Sequence, residues 1–357
     1  MSNKKVLLLV GVLIAAAFIL TACAGPAGAE GPAGPAGPSG ATGPAGAAGV
    51  SPAATDLTCT ECHNDGTELT SKTAMWAASL HGSSLVYVEE AGRAQCSFCH
   101  DGSAFSESVA AGLAPNKVEV VHTNATPQDC RACHQIHTTY TSADWALETV
   151  APVAFFAAAD TTKATFDGGM GNLCANCHQV RSVFTPATDG NVKITSSRYG
   201  PHYGPMSSIL LGTGGAGLEG KPSAHYSMVE NTCVTCHLGE GTNHTFTPQV
   251  SACVACHADA TDFDINGVQT EVEEKLEVLH TKLVDMKLLN PDTGLWGIYD
   301  AATGKWSNPS ADAPLVVTEE IGNAMWNYKM VVYDLSNGVH NSAYTKALLD
   351  ATLAALP

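Results

Sequence analysis

The sequence repeats one five-residue pattern, C-x-x-C-H, six times, and no other feature constrains the fold as strongly. The motifs are Cys59–His63, Cys96–His100, Cys130–His134, Cys174–His178, Cys233–His237 and Cys253–His257. They use 12 of the 13 cysteines, and the remaining cysteine is Cys23. In this motif both thiols form thioether bonds to a haem, and the histidine binds the iron from the proximal side. The chain is therefore predicted to carry six covalently bound c-type haems.

Zinc sites and a disulfide framework are the alternatives that cysteine pairs usually raise. Zinc does not require a histidine directly after every pair, and disulfides require no histidine. Haem attachment requires both. The predicted thioether cysteines are Cys59, Cys62, Cys96, Cys99, Cys130, Cys133, Cys174, Cys177, Cys233, Cys236, Cys253 and Cys256. The predicted proximal iron ligands are His63, His100, His134, His178, His237 and His257.

Composition supports a fold organised around these groups. Only 6% of the residues are aromatic and 14% are charged, so the side chains alone would build a thin core, whereas porphyrins add large apolar surfaces. We expect a mainly α chain with extensive loop, in which a compact multihaem cytochrome c core is followed by long C-terminal helices. The formal net charge of −17 argues against nucleic acid. It favours a basic redox protein or an extracellular acceptor such as a metal ion or a mineral.

The N-terminus has the pattern of a bacterial lipoprotein signal peptide over residues 1–22. Lys4 and Lys5 precede an apolar stretch that ends in the sequence LTAC, in which Cys23 would be the lipidated residue. A plain signal peptide and an uncleaved anchor helix are the alternatives. All three predict export, and several acyl chains would give stable membrane anchoring. Ala24 after the cysteine favours the outer membrane, with the protein facing either the periplasm or the cell exterior.

Residues 23–55 contain the lipidation site and a collagen-like linker. Glycine occupies every third position from Gly25 to Gly49, which gives eight triplets. This period suits a collagen triple helix, because only glycine fits at its axis. The segment would either trimerise as a short stalk or serve as an extended tether in the polyproline II conformation. A trimerising stalk would make the protein a homo-oligomer.

The remaining chain divides into a hexahaem cytochrome c domain, 56–265, and a C-terminal helical region, 266–357. In the first part the motifs are expected to open short helices separated by loops. In the second part, apolar residues at spacings of three and four predict helices over 268–286 and 321–335, each with a narrow apolar seam, and a last helix over 342–356. Asn337-Gly338 would end the middle helix. The turn-rich segment before it is expected to expose its tryptophans. These helices would complete the haem domain or form a subunit interface.

The supply of histidines bears on the distal side of each iron. Of the 14 histidines, six are proximal, and eight remain. These are His81, His122, His137, His202, His225, His244, His280 and His340. A haem with two axial histidines mainly transfers electrons, whereas one with an open face can bind substrate. His137 is too close to its own motif to reach the opposite face of that haem, so it would serve a neighbour. His280, on the first long helix, is expected to be a surface or packing residue.

With these landmarks the chain resembles the pentahaem, ammonia-forming cytochrome c nitrite reductases over roughly residues 93–349. The shared landmarks are HYGP from His202, His225 upstream of CVTCH, NHTF with His244, CVACH, and the closing segment MWNYKMVVYDLSNGVHNSAYTKALL. The resemblance implies that the distal ligands include His81, His225, His244 and His340. It makes the Cys59 motif an extra N-terminal haem, which the segment with His122 and His137 helps to complete. His202 is the remaining distal candidate, with His122 as its alternate.

The catalytic residues of that family are matched only in part. The resemblance implies that the Cys96 motif holds the catalytic haem, but its proximal residue is His100, where many members have lysine. The stretch CANCHQVRSVF contains no tyrosine, and Pro201 stands before the candidate catalytic residue His202. Arg93 is a weak match to the family's arginine. Two hypotheses stay open: a relay of electrons through mostly bis-histidine haems, with His202 closing the site, or reduction of nitrite, hydroxylamine or a related small oxyanion with His202 and Arg93.

Overall fold

The structure is a computed structural model, and it describes residues 63, 67–90, 92–114, 120–155, 157, 164–239 and 242–357. These residues fall in one compact unit. The predicted signal peptide, the lipidation site Cys23, the collagen-like linker and the thioether cysteines Cys59 and Cys62 lie outside the described residues.

The fold is mainly helical with extensive loops, as predicted. The short helices are α1 Thr67–Ala78, α2 Leu80–Ser83, α3 Val86–Glu90, α4 Ala94–His100, α5 Gly102–Ala110, α6 Cys130–Cys133, α7 Asn172–Ala175, α8 Met206–Leu211, α9 Ala224–Met228 and α10 Cys233–His237. The long helices are α11 Val268–Asp285, α12 Glu319–Asp334 and α13 Ser342–Ala355. Several motifs lie within or beside single helical turns, so their cysteines and histidine share one local frame.

The strands among the described residues are β1 Val153–Ala154, β2 Thr165–Phe166, β3 Asn191–Ile194, β4 Ile298–Asp300, β5 Lys305–Ser307 and β6 Leu315–Thr318. They pair antiparallel as β1 with β2, β3 with β6, and β4 with β5. The β3–β6 pair joins distant parts of the chain, with Val192 opposite Val317. It therefore ties the C-terminal region to the region that contains the fourth motif.

Helix α11 forms as its pattern predicts. Its apolar seam buries Val272, Leu279 and Leu283. The exposed face carries polar residues, and a salt bridge joins Lys275 to Glu271 one turn earlier at 2.8 Å. Such pairs contribute only tenths of a kcal/mol, so burial of the seam is the main stabilising term.

Helix α12 differs from the prediction of a narrow apolar seam. It is buried on nearly all sides between α13, β3 and the loops of residues 199–216. It ends at Asp334, before the expected Asn337-Gly338 stop, because Leu335 adopts a left-handed conformation with φ of 61° and lies 76% exposed. The spacing of apolar residues underestimated how much of this helix is buried, because three of its buried residues are polar: Asn327, Lys329 and Asp334.

Each of these buried polar residues has a partner, as buried polar groups require. The side chain of Asn327 accepts a hydrogen bond from the Ala216 backbone N–H at 2.7 Å and donates one to the Ala216 carbonyl at 3.0 Å. Lys329 donates to the Gly294 carbonyl at 2.8 Å. Burial lowers the pKa of Lys329 to about 8.

Replacement of Asn327 by leucine is expected to lower the free energy of unfolding by about 3 kcal/mol, because both backbone groups of Ala216 would lose their partner inside the protein. Urea denaturation of the haem-loaded protein, followed by far-ultraviolet circular dichroism, measures this effect. Val278→Ala on α11 is the control, because Val278 is 49% exposed, and it should change the value by only about 0.5 kcal/mol. Equal losses in the two variants would contradict the assignment.

The expectation that the tryptophans between α11 and α12 are exposed is wrong for Trp296. Its side chain is fully buried, and its indole N–H donates to the Tyr199 carbonyl at 2.6 Å. The ammonium of Lys329 lies 5.2 Å from its ring centre, within cation–π range. A turn-rich sequence indicates loop, but it does not reveal that one side chain of the loop anchors in the core.

The largest apolar cluster is formed by α11, α12 and α13 against residues 180–216, rather than around the motifs. Near the motifs the clusters are small, and one contains only Phe98, Phe105 and Ala132 as buried members. The C-terminal helices thus pack on the motif-bearing part of their own chain, while a subunit interface stays a prediction. Across the described residues, no helix combines the length and apolar character needed to cross a membrane.

Candidate haem-iron sites

Every motif histidine faces one histidine from another part of the chain. The pairs and the distances between their ring centres are His63–His137 6.1 Å, His100–His202 6.2 Å, His134–His244 6.4 Å, His178–His81 6.1 Å, His237–His340 6.3 Å and His257–His225 6.3 Å. We number them sites 1 to 6 in that order, which is the order of the motifs. The six predicted distal histidines are therefore the six partners, each at a different motif.

This spacing is the one that a metal ion between two imidazoles requires. With metal–nitrogen bonds of about 2.0 Å on both sides, the two ring centres lie about 6 Å apart. The angles between ring planes range from 24° at site 3 to 79° at site 6. A metal bound to an imidazole nitrogen would lie in the plane of that ring. Each ring could then rotate about its metal–nitrogen bond, so this range of angles is compatible with axial ligation.

The protonation of the paired rings also suits ligation, which needs a neutral imidazole. Burial, with a further contribution from the nearby His81, His237 and His340, lowers the pKa of His178 to about 4. Burial is likewise the largest cause of the lowered pKa of six further paired rings. These are His81, His100, His134, His202, His237 and His244.

Hydrogen bonds at Nδ1 leave Nε2 available in several of these rings. The backbone carbonyl of Trp145 lies 2.7 Å from Nδ1 of His134, and that of Val339 lies 2.7 Å from Nδ1 of His225. An Nδ1–H donor fixes the tautomer that carries its lone pair on Nε2, which is the common arrangement around metal-ligating histidines.

The cysteines complete a donor set that fits c-type haem. The ten motif cysteines that the structure describes are free thiols. Within the same described residues, no group of three or more His, Cys, Asp or Glu side chains converges on one point as metal ligands would. Each of sites 2 to 6 offers two axial imidazoles and, beside one of them, two thiols. A porphyrin supplies four equatorial nitrogens, so these residues fit it.

Large apolar side chains next to the paired histidines are exposed to solvent. Leu80 is 81% exposed beside His81, and Tyr203 is 61% exposed beside His202. Met228 is 76% exposed in α9, the helix that carries the distal histidine of site 6. Bare apolar surface at these positions is what the face of a porphyrin would cover.

Capped short helices position two of the distal histidines. Helix α2 carries His81, and its N-cap Ser79 accepts a hydrogen bond from the Gly82 N–H at 3.3 Å. Helix α9 carries His225, and its N-cap Ser223 accepts from the Tyr226 N–H at 3.0 Å. Each cap satisfies a free N–H of a helix that is too short to be stable alone.

Two further distal histidines adopt a left-handed backbone conformation. The φ angle is 64° at His137 and 71° at His202. Such angles are costly for a residue with a Cβ atom, and they persist where the surrounding structure enforces them, often at functional sites. Gly200 and Gly204, both with positive φ, flank the second histidine and allow the sharp turn that brings it to His100.

A tight loop holds His244 at site 3. Asn243 accepts hydrogen bonds from the backbone N–H of Thr245 at 3.0 Å and donates to the Thr247 carbonyl at 2.7 Å. The Nδ1 atom of His244 is buried without a partner.

The two unpaired histidines have other contacts. His122, the alternate distal candidate, faces no motif histidine; its Nδ1 lies 2.7 Å from the carboxylate of Asp101 and its Nε2 lies 3.3 Å from that of Glu107. The buried carboxylate of Asp101 raises the pKa of His122. His280 lies exposed on α11, 3.2 Å from the hydroxyl of Tyr328, as expected for a surface or packing residue.

The arginine at site 2 is not the one suggested by the sequence. Arg93 pairs with Glu90 at 2.7 Å, next to the fourth helix. Arg181 instead reaches the site: one guanidinium nitrogen lies 3.5 Å from Nε2 of His202, and the other donates to the Gln95 carbonyl at 2.7 Å. Its only sequence signal is its position three residues after the motif histidine of site 4.

The thiols show which sites adjoin. Cys99 of site 2 lies next to Cys177 of site 4, close enough to change its pKa, and Cys174 of site 4 lies next to Cys233 of site 5 in the same way. Cys133 of site 3 is close enough to act electrostatically on both site 4 thiols. Site 4 therefore adjoins sites 2, 3 and 5.

Sites 6 and 1 lie next to this group of sites 2 to 5. Cys236 of site 5 is within electrostatic range of Cys253 of site 6. His137, the distal residue of site 1, follows the motif of site 3 by three residues. Among the thiols that the structure describes, those of sites 2 and 6 each adjoin one other site, so these two sites are ends of a branched arrangement whose junction is site 4.

Phe246 connects three of the sites near this junction. Its ring centre is 4.7 Å from that of His81 and 6.3 Å from that of His244. Its backbone carbonyl lies 2.8 Å from Nδ1 of His237. One residue thereby fixes the distal ligands of sites 3 and 4 and the proximal ligand of site 5 relative to each other.

Known proteins with similar sequence or structure are multihaem cytochromes. No protein-family model matches the chain. The C-type polyheme cytochrome OmcC of Geobacter sulfurreducens is 24% identical over 226 residues, which are 50% of this chain and 29% of that protein. The outer cell wall cytochrome OcwA superposes with a TM-score of 0.51 at 20% identity, over 80% of this chain and 50% of that chain. The undecaheme cytochrome from the S-layer of Carboxydothermus ferrireducens gives a TM-score of 0.42 at 18% identity, over 77% and 41%.

These comparisons concern the fold, and each covers only part of the related protein. The likeness to OcwA supports the multihaem cytochrome fold. The chain spans less than a third of the length of OmcC and half of the length of OcwA. Activities of those whole proteins are therefore not transferred to this chain.

Proposed function

We propose that this chain, a multihaem c-type cytochrome, is an exported six-haem lipoprotein that carries electrons at or outside the outer membrane. Sites 1 to 6 would each hold one c-type haem through two cysteines and two axial histidines. The observation that carries this proposal is the set of six histidine pairs, one at each motif, all with ring centres 6.1 to 6.4 Å apart.

A c-type haem, when bound, supplies an iron that cycles between Fe(III) and Fe(II) and so accepts and releases one electron. The protein's part is to close both axial positions and to hold neighbouring groups near one another. The Cys99–Cys177 and Cys174–Cys233 contacts do this at the junction, because each thiol fixes one edge of the group attached to it.

The predicted position outside the cell rests on the N-terminal sequence and on the relatives. The lipoprotein signal, Cys23 and the collagen-like linker would anchor the chain and extend it from the membrane. OcwA is an outer cell wall cytochrome by its printed name, and the similar undecaheme protein comes from an S-layer. A redox protein, a metal ion or a mineral would then be the electron acceptor, and the net charge of −17 favours a cationic one.

Reduction of nitrite, hydroxylamine or a related oxyanion at site 2 is the alternative function. One observation favours it: the cationic Arg181 lies next to His202, where an anion bound at the iron would need a donor. The 6.2 Å spacing of His100 and His202 favours the closed, electron-transferring form of the same site.

Exposure of the ferric protein to nitrite and, separately, to cyanide distinguishes the two functions. We expect the visible spectrum to stay unchanged over minutes at millimolar ligand, because His202 would occupy the sixth position of a haem at site 2. Rapid binding by one of the six haems, together with turnover of nitrite by the reduced protein, would establish the alternative. Haem-loaded His202→Ala serves as the positive control for ligand access.

A further inference from the structure

The histidine pair of site 5 contains the one axial candidate that contacts a carboxylate among the paired histidines that the structure describes. Nδ1 of His340 lies 2.7 Å from Oδ1 of Asp334. Asp334 is 2% exposed, and its second oxygen accepts a hydrogen bond from the Ser336 hydroxyl. Burial would lower the pKa of His340, but the charge and hydrogen bond of Asp334 outweigh it and raise the pKa.

In the other paired histidines whose Nδ1 atom has a hydrogen-bond partner, that partner is a neutral group. Backbone carbonyls serve His134, His202, His225 and His237. A carboxylate differs from a carbonyl because it brings a full negative charge and draws the Nδ1 proton toward itself. The imidazole then acquires imidazolate character and becomes a stronger donor to a metal ion. The buried position of Asp334 weakens the screening of that charge by water.

Site 2 has the opposite charge next to its distal histidine. The guanidinium of Arg181 is 3.5 Å from Nε2 of His202 and 3.8 Å from the sulfur of Cys96. Burial is the largest cause of the lowered pKa of His202; Arg181 lowers it further, and the carboxylate of Glu90, which also lies near Cys96, opposes this effect. A positive charge at this position stabilises the reduced, less positive state of an iron held there.

We propose that Asp334 and Arg181 set a difference in reduction potential between two of the three branches that meet at site 4, making an iron at site 5 harder to reduce than an iron at site 2. The proposal rests on the proposed function, since it assumes haem at both sites. Fe(III) carries one more positive charge than Fe(II), so the carboxylate favours the ferric state at site 5. The guanidinium favours the ferrous state at site 2.

The consequence is a preferred resting place for an electron. If both sites hold haem, a single electron shared between them would rest at site 2 as Fe(II) and would leave site 5 as Fe(III). Electrons that enter from site 6 or site 5 would therefore collect at the Cys96 branch. Asp334 and Arg181 are positioning residues. Neither would touch the iron, and the charge of each would act on it only through the axial ligand or the attached group.

Redox titration of the full haem-loaded protein, followed by optical and EPR spectra, tests the proposal. In Asp334→Asn, which keeps the shape and an acceptor for His340, one component should move to a more positive potential. The expected change in its ferrous-to-ferric ratio is at least tenfold, about 59 mV for one electron. In Arg181→Gln, a different component should move to a more negative potential. Asp334→Glu and Arg181→Lys keep the charges and should leave both components near their original values.

The outcomes separate this proposal from the proposed function. Six low-spin haems with unchanged potentials in both neutral variants would overturn the charge-based bias while leaving the electron-transfer function intact. Shifts in the same direction in the two variants would also overturn it. Fewer than six haems in the unmodified protein would instead contradict the proposed function. If Asp334→Asn does not fold, Arg181→Gln decides, because this arginine is partly exposed and lies outside the apolar core.

Discussion

Replacement of His202 by alanine is expected to convert one of the six low-spin ferric haems to the high-spin form. The change would remove the proposed sixth ligand at site 2, where the ring centres of His202 and His100 are 6.2 Å apart. Water or an added anion would then occupy the open position, and Arg181 would lie beside it. EPR spectroscopy of the ferric protein should show a new high-spin signal from about one haem in six, and cyanide should bind to that haem.

Two matched variants make this result specific. His280→Ala and His122→Ala remove histidines that face no motif histidine, so both should retain the spectrum of the unmodified protein. A high-spin signal in His122→Ala but not in His202→Ala would show that the alternate ligand serves site 2. If His202→Ala keeps all haems low-spin but abolishes nitrite turnover, the residue is a catalytic acid and the relay hypothesis for site 2 is wrong.

Loss of the haem at site 4 is expected to have the largest effect on electron movement within the protein. Cys174→Ser with Cys177→Ser removes both thioether bonds of the site that adjoins sites 2, 3 and 5. The five remaining haems would be divided into separate groups. Stopped-flow reduction by a protein donor should then show a fast phase for only part of the haems and a much slower phase for the rest.

The matching control removes an end of the arrangement instead of its junction. Cys253→Ser with Cys256→Ser leaves five haems at sites 1 to 5, which stay connected through site 4. All five should be reduced in the fast phase. Equal kinetics in the two double variants, with five haems in each by mass spectrometry, would contradict the branched arrangement.

The six histidines that face the motif histidines could be predicted from the sequence, but their pairing could not. Counting histidines and comparing motif order identified all six partners. The pairing of His81 with His178 and of His237 with His340 depends on tertiary contacts between segments about a hundred residues apart. Local sequence has no signal for which loop reaches which motif.

The same limit applies to the charged residues near the sites. In the sequence, Asp334 is one of several polar residues of an amphipathic helix. Only the structure shows that it is buried next to His340, where its charge can act on that histidine. Arg93 is near the Cys96 motif in sequence, yet Arg181 occupies the place beside His202 because the turn of residues 200–204 brings the two together. Helix α11 was predictable because its apolar spacing is regular, and the N-terminus of α13 is capped by Asn341, which accepts a hydrogen bond from the Tyr344 N–H at 3.2 Å.

The spin state of the iron in the resting protein tests the central claim most directly. EPR spectroscopy of the fully oxidised protein, quantified against the haem content by mass spectrometry, counts the bis-histidine sites. We expect six haems, all low-spin, because every motif histidine faces a second histidine with the spacing of an axial pair. A stoichiometric high-spin signal in the unmodified protein would contradict this account and would show that at least one iron is open to substrate.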